Sequence, residues 1–308
     1  MRILSALALA LCPALAACAV DTSSEQAATA TAQPAPEPEL MKWPGLLSRE
    51  RPEPSTSIRY GEDQMQIVDL WLPKGKGPHP TVLMIHGGCW QTEIADRRIM
   101  NWIADDLRAR GIAVWNIDYR GVDRAGGGYP GTFLDTAAAA DALRSHAKAH
   151  DLDVSRLVAV GHSAGGHLAL WLAGRSKLPE GSPLRAGAPI AIRTVVSLGG
   201  LPDLEEAARP PGSGCGTEVI DQISGGGKYA ETSVPRLAPL GVRQVLVNGL
   251  QDRIIPPAYA ERYAAPMRAA GDKVTVRMVD RTGHVELIAP ETDAWKVAVR
   301  EIEKALGR

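Results

Sequence analysis

The sequence predicts an α/β fold built on one mostly parallel sheet with helices on both faces. Short β-rich apolar runs alternate with stretches whose apolar residues recur three and four positions apart, the rhythm of strands alternating with amphipathic helices. Most of the β-rich runs are continuously apolar, as strands covered on both faces require. With 308 residues, 45% of them hydrophobic, the chain can bury one large core.

The first seventeen residues read as an export signal rather than as fold. Arg2 supplies a positive start, and the apolar run from Ile3 to Leu15 is too short to span a bilayer as a mature helix. Its end, Leu15-Ala16-Ala17-Cys18, resembles the lipobox of bacterial lipoproteins. That resemblance implies cleavage before Cys18, lipidation of its thiol and a membrane anchor, with the protein on the outer membrane facing the periplasm. Ordinary cleavage after Ala14-Leu15-Ala16 is the alternative, and gives a soluble periplasmic or secreted protein. Residues 18–40 then form a flexible tether, because Ala, Thr, Ser, Gln, Pro and Glu with almost no large apolar side chain cannot offset their own ordering entropy.

One domain fits residues 41–308. Strands are expected over 66–72, 81–85, 112–117, 157–160, 194–197, 245–247 and 274–279. Helices are expected over 97–110, 134–149, 165–172, 257–269 and 292–305. Residues 199–241 break the rhythm with Pro210-Pro211, the Gly-rich stretch 212–216 and Gly225-Gly226-Gly227. They are expected to form a mobile, lid-like insertion above the sheet.

A formal net charge of −1 without any block of Lys or Arg excludes an electrostatic footprint for nucleic acid or an anionic lipid surface. The expected partner is a small acyl substrate of little charge; the oligomeric state is not legible. Of four Cys, Cys12 falls within the signal and Cys18 at the lipid site, leaving Cys89 and Cys215. An oxidising compartment allows those two to pair, but sequence does not bring their Cα atoms within bonding distance, so the pairing stays open. No His or Cys spacing of a metal site appears, and no phosphate-cradling Gly loop precedes a helix with a Lys, so no metal or cofactor is implied.

The chemistry concentrates in Gly161-His162-Ser163-Ala164-Gly165. The bare Gly-x-Ser-x-Gly pattern arises by chance about 0.1 to 0.2 times in a chain of this length and composition. Here it directly follows a strand and opens a helix, the context of a nucleophile elbow that exposes a serine hydroxyl on a strained turn. A side chain at 161 or 165 is expected to clash where the helix packs back on the strand. Upstream, His86-Gly87-Gly88-Cys89-Trp90 follows the strand at 81–85.

From roughly residue 60 to the end the chain resembles the α/β-hydrolase superfamily, its esterases in particular. The resemblance implies that the backbone N–H groups of Gly88, Cys89 and Ala164 form an oxyanion hole. Cys89 stands where the esterase loop has a third Gly, which keeps a backbone donor but narrows the room beside it. His-Gly-Gly-x-Trp also resembles kynurenine formamidase, and prolyl-oligopeptidase catalytic domains are similar as well, so formamide and peptide hydrolysis are alternatives to a small carboxylic ester. A lipid-anchored binding protein that keeps the fold without the chemistry is the reading from outside enzymology. The order Ser163, Asp252, His284 is the one these hydrolases use, with Asp252 after the strand at 245–247 and His284 just past the last strand. Asp203 and Asp280 are the rivals for the acid. Trp90 is expected to line the substrate pocket.

Overall fold

Alternation along the strands dictates how the sheet is covered. In the computed structural model, which describes residues 39–185, 187–210 and 212–308, eight strands form a single sheet. They are β1 (Thr56–Arg59), β2 (Ile67–Trp71), β3 (His79–Ile85), β4 (Ala113–Ile117), β5 (Leu152–His162), β6 (Thr194–Leu198), β7 (Arg243–Gly249) and β8 (Lys273–Val279). Their order is β1-β2-β4-β3-β5-β6-β7-β8, with β2 antiparallel to β1 and β4 and every other pair parallel. This is the α/β-hydrolase topology that the sequence predicts.

Because successive side chains point to opposite faces, Leu83 and Ile85 join one apolar layer while Val82 and Met84 join the other. The first layer packs under α3 (Gly128–His146), α4 (Ala164–Gly174) and α8 (Ala258–Ala269); the second packs under α2 (Asn101–Ala109) and α9 (Asp293–Leu306). All seven expected strands and five expected helices are present, their ends shifted by a few residues. The short edge strand β1, largely exposed, and the five-residue helix α1 (Trp43–Leu47) carry too little periodicity to be foreseen. The export signal, Cys18 and the tether as far as residue 38 lie outside the described residues. Among the described residues no helix is long and apolar enough to cross a membrane.

Residues 199–241, where the sequence shows no clear period, contain short helices. They form α5 (Leu204–Ala207), α6 (Thr217–Ser224) and α7 (Tyr229–Thr232), helices of four to eight residues, too short for a period to show. Leu201, Leu204, Ile220, Ile223, Val234 and Leu237 are buried against the core. The insertion is also tied to α4, where His167 Nε2–H donates to the Thr232 carbonyl at 2.7 Å and Trp171 Nε1–H to the Glu231 carbonyl at 2.9 Å.

His167 is wholly buried between Trp90 and Phe133, whose rings meet it edge-on. Burial pushes its pKa down from 6.5 to about 4, although the Thr232 bond opposes that shift. Since the unfolded chain takes up this proton first, the contribution to stability is lost as pH falls below about 6.5. Between pH 7 and 5 the loss from His167 alone comes to about 2 kcal/mol. His167→Gln, whose amide retains a donor near Nε2, should lose correspondingly less in urea titrations at the two pH values. The same acid loss in both proteins contradicts this assignment.

Candidate active site

The site is set by where parallel strands end. Ser163 follows β5 and caps α4 with φ 54° and ψ −121°, a left-handed backbone that a residue with a Cβ seldom adopts. The turn is held by the Ser163 N–H, which donates to the Leu198 carbonyl at 2.8 Å, and by the Ser163 carbonyl, which accepts from the Gly166 N–H at 2.9 Å. The expected clashes are there: a Cβ on Gly161 would lie 2.0 Å from the Gly165 oxygen, and one on Gly165 2.2 Å from the Ile85 oxygen. No side chain fits at either position.

His284 sits in the loop after β8, buried, with Nδ1 2.6 Å from Asp252 Oδ2. Asp252 Oδ1 accepts from the backbone N–H groups of Ile254 and Ile255, each at 2.9 Å. A carboxylate accepts, so His284 Nδ1 donates in this contact. Ser163 and His284 line the same cavity of about 290 Å³. The two rival acids are occupied elsewhere. Asp203 caps α5, accepting from Glu206 N–H at 3.1 Å and Ser233 Oγ–H at 3.2 Å, and Asp280 accepts from the Gln251 side chain at 3.1 Å.

Gly88 and Cys89 lie on the wall of this cavity, and Ala164 is the first residue of α4. Cys89 has φ 50°, a conformation that favours glycine. It is bonded to Cys215 across 126 residues, so the pairing left open by the sequence is present, and the loop after β3 is joined covalently to the insertion. Beneath the loop, the His86 ring is clamped between Asp118 Oδ1 at 2.9 Å and the Gly87 carbonyl at 2.7 Å, and stacks on Tyr119 at 4.3 Å. Arg97 bridges Asp118 and the buried Asp69 at 3.0 and 2.7 Å. Trp90 corrects the expectation of a pocket residue. It is completely buried in the core with its edge toward His167, because the turn at Cys89 and Trp90, both at positive φ, sends the indole inward.

Two contributors to the site have no role that the motifs assign. The His162 ring lies against His284, tilted by 45° with ring centroids 4.4 Å apart, and its Nε2–H donates to the His284 carbonyl at 3.1 Å. Burial, and then the neighbouring His284, push His162 well below the ordinary histidine pKa, so it stays neutral beside His284. The wall beyond is apolar and includes Trp43 and Leu47 of α1. Among the described residues no group of three or more His, Cys, Asp or Glu side chains is arranged to hold a metal ion.

The topology and the strained serine at the end of β5 place this chain among the α/β-hydrolases of esterase type. It belongs to the BD-FAE family, whose model matches residues 68–228. Esterase LipC of Mycobacterium tuberculosis is 29% identical over 177 residues, which cover 54% of this chain but only 41% of that relative. In fold, the chain is similar to a truncated carbohydrate esterase from gut microbiota, with a TM-score of 0.69 at 21% identity over 84% of this chain and 100% of the other. It is equally similar to Thermogutta terrifontis esterase 2 phosphonylated by sarin, with a TM-score of 0.69 at 18% identity over 86% of this chain and 97% of the other.

The covalent link has a measurable consequence. Cys215→Ala should cost about 2 to 4 kcal/mol of stability, the range for a bond that closes a long loop. Ester hydrolysis should fall together on acetate and octanoate, because the strained Cys89 turn loses its support. Dithiothreitol should bring the wild type to the level of the variant and leave the variant unchanged. Equal stability of oxidised wild type and variant would falsify the structural role of the bond.

Proposed function

We propose that the protein is a serine hydrolase that cleaves a small carboxylic ester through an acyl-enzyme, with Ser163 as nucleophile, His284 as base and Asp252 as the acid that orients it. The observation that carries this reading is the 2.6 Å contact from His284 Nδ1 to Asp252, with His284 and the elbow serine on one cavity wall. His284 Nε2 removes the Ser163 proton as Oγ bonds to the acyl carbon, and the carbonyl oxygen becomes an oxyanion held by the N–H groups of Gly88, Cys89 and Ala164. The carbonyl re-forms, the bond to the alkoxy oxygen breaks, and His284 returns the proton to the departing alcohol. Water then attacks the acyl carbon with the same proton transfers, releasing the acid and Ser163. A structural neighbour phosphonylated by sarin supports covalent chemistry of this type.

Ser163→Ala should lower kcat by about 10⁵ to 10⁶ with the fold intact and abolish labelling by a fluorophosphonate. Asp252→Asn should cost about 10⁴, through the wrong imidazole tautomer. Asp203→Asn should cost less than about tenfold, as a loss at a helix cap rather than at the reacting atoms. The reverse ranking of the two Asp variants assigns the acid wrongly. An ester, formamide and peptide panel run against the same probe separates this reading from formamidase and peptidase chemistry.

The second part of the proposal is that Cys18 carries lipid and holds the domain on a membrane, as the Leu15-Ala16-Ala17-Cys18 run supports. Two or more acyl chains make such an anchor firm, since each buried CH₂ contributes about 0.8 kcal/mol. Radiolabelled palmitate should enter the wild-type chain made in a bacterium and not Cys18→Ser. Equal labelling of both returns the protein to plain secretion.

A further inference from the structure

Of the large apolar side chains exposed among the described residues, Leu47 at 42% and Ile94 at 60% both line the mouth of the Ser163 cavity. Trp43, Ile99 and Ile254 continue that lining, and no Asp, Glu, Lys or Arg contributes to it. Two of these residues, Trp43 and Leu47, come from α1, which lies outside the 68–228 stretch shared with the family.

This five-residue helix is fixed in place by more than its own hydrogen bonds. Leu46 is fully buried in the apolar layer that also holds Val285 and Leu287. The buried Glu286 accepts from the backbone N–H of Met41 through Oε1 and from the Gly283 N–H at 3.0 Å through Oε2. Gly283 precedes His284 in the chain, so one carboxylate binds both the approach to α1 and the loop that carries the base. The edge of Trp43 also meets the His162 ring at 6.3 Å, and His162 in turn holds the His284 carbonyl.

Resting on the esterase reading above, we propose that α1 is the specificity wall of the site. Trp43 and Leu47, with Ile94 and Ile254, receive an uncharged aliphatic chain of the ester, and Glu286 is a positioning residue that ties this wall to His284. A chain laid on these side chains removes their exposed apolar surface from water, which favours binding in proportion to the area covered. An ester with a charged or sugar group in the same place meets Trp43, Leu47, Ile94 and Ile254, none of which replaces its lost water.

The test uses the purified full chain and two substrate series, p-nitrophenyl acetate against hexanoate and methyl against hexyl acetate. Leu47→Ser and Ile94→Ser, both at exposed positions, should each lower the long-to-short ratio of kcat/KM about tenfold in one series, chiefly through KM. Leu134→Ser, an exposed leucine on α3 away from the cavity, should leave both ratios unchanged. Glu286→Gln puts an NH₂ group against one of its two N–H donors. It should lower kcat on every ester and lower the ratio as well, and combined with Leu47→Ser it should lose less of the ratio than the two single effects multiplied. Unchanged ratios in both series, in a Leu47→Ser protein whose Ser163 still takes the fluorophosphonate, overturn the wall. Independent effects of Glu286 and Leu47 overturn the coupling. Failure of the wild type to take the probe strikes instead at the esterase reading.

Discussion

A serine held at positive φ between a strand and a helix is the constraint around which this molecule is organised. The turn costs free energy of order 1 to 3 kcal/mol, and the surroundings hold it through register. Ile85 of β3 stands opposite Gly161 of β5, and Leu198 of β6 stands opposite His162. The loop that begins at His86 therefore leaves the sheet level with Ser163, and the Leu198 carbonyl is in place to accept from the serine N–H. On the other side, Gly249 of β7 pairs with Val279 of β8, so the loops bearing Asp252 and His284 leave neighbouring strands at the same height. Parallel pairing places four distant stretches of chain at one end of the sheet without any loop having to reach far.

That logic explains what could be read in the sequence. The seven longer strands and five longer helices are legible because each is long enough to show either a continuous apolar run or apolar residues at helical spacing. The elbow is legible because Gly161 and Gly165 are demanded by contacts of 2.0 and 2.2 Å with backbone oxygens, which no other residue tolerates. The preference for Asp252 over Asp203 rests on chain order, and the contacts add the physical reason, since Asp203 is engaged at the start of α5. What was not legible depends on partners far away in the chain. Glu286 looks like any surface carboxylate until Met41 is seen to donate to it, and the pairing of Cys89 with Cys215 needs a fold to bring their Cα atoms to 5.3 Å. Trp90 was misplaced because the turn reverses the face on which its ring emerges.

The pocket is correspondingly composite. The loop after β3, the insertion after β6 and the helix before β1 each contribute to one small cavity, and only the first belongs to a motif. Ser163, Asp252 and His284 stand at the C-terminal ends of the strands, whereas much of the apolar lining comes from segments that pack over them. In such an arrangement the lining can vary without disturbing the register on which the serine depends.

The bond between Cys89 and Cys215 turns the chain between them into a closed ring that contains β4, α3, β5, Ser163, α4 and β6. A single peptide cleavage within that ring leaves one connected molecule, with the loop after β3 and the insertion still covalently joined. Proteolytic nicking at an exposed stretch, such as the turn near Gly181, therefore cannot separate the two walls of the cavity, and the cut ends remain held by the sheet on either side. The same link that shapes the site thus also makes it tolerant of damage to the backbone.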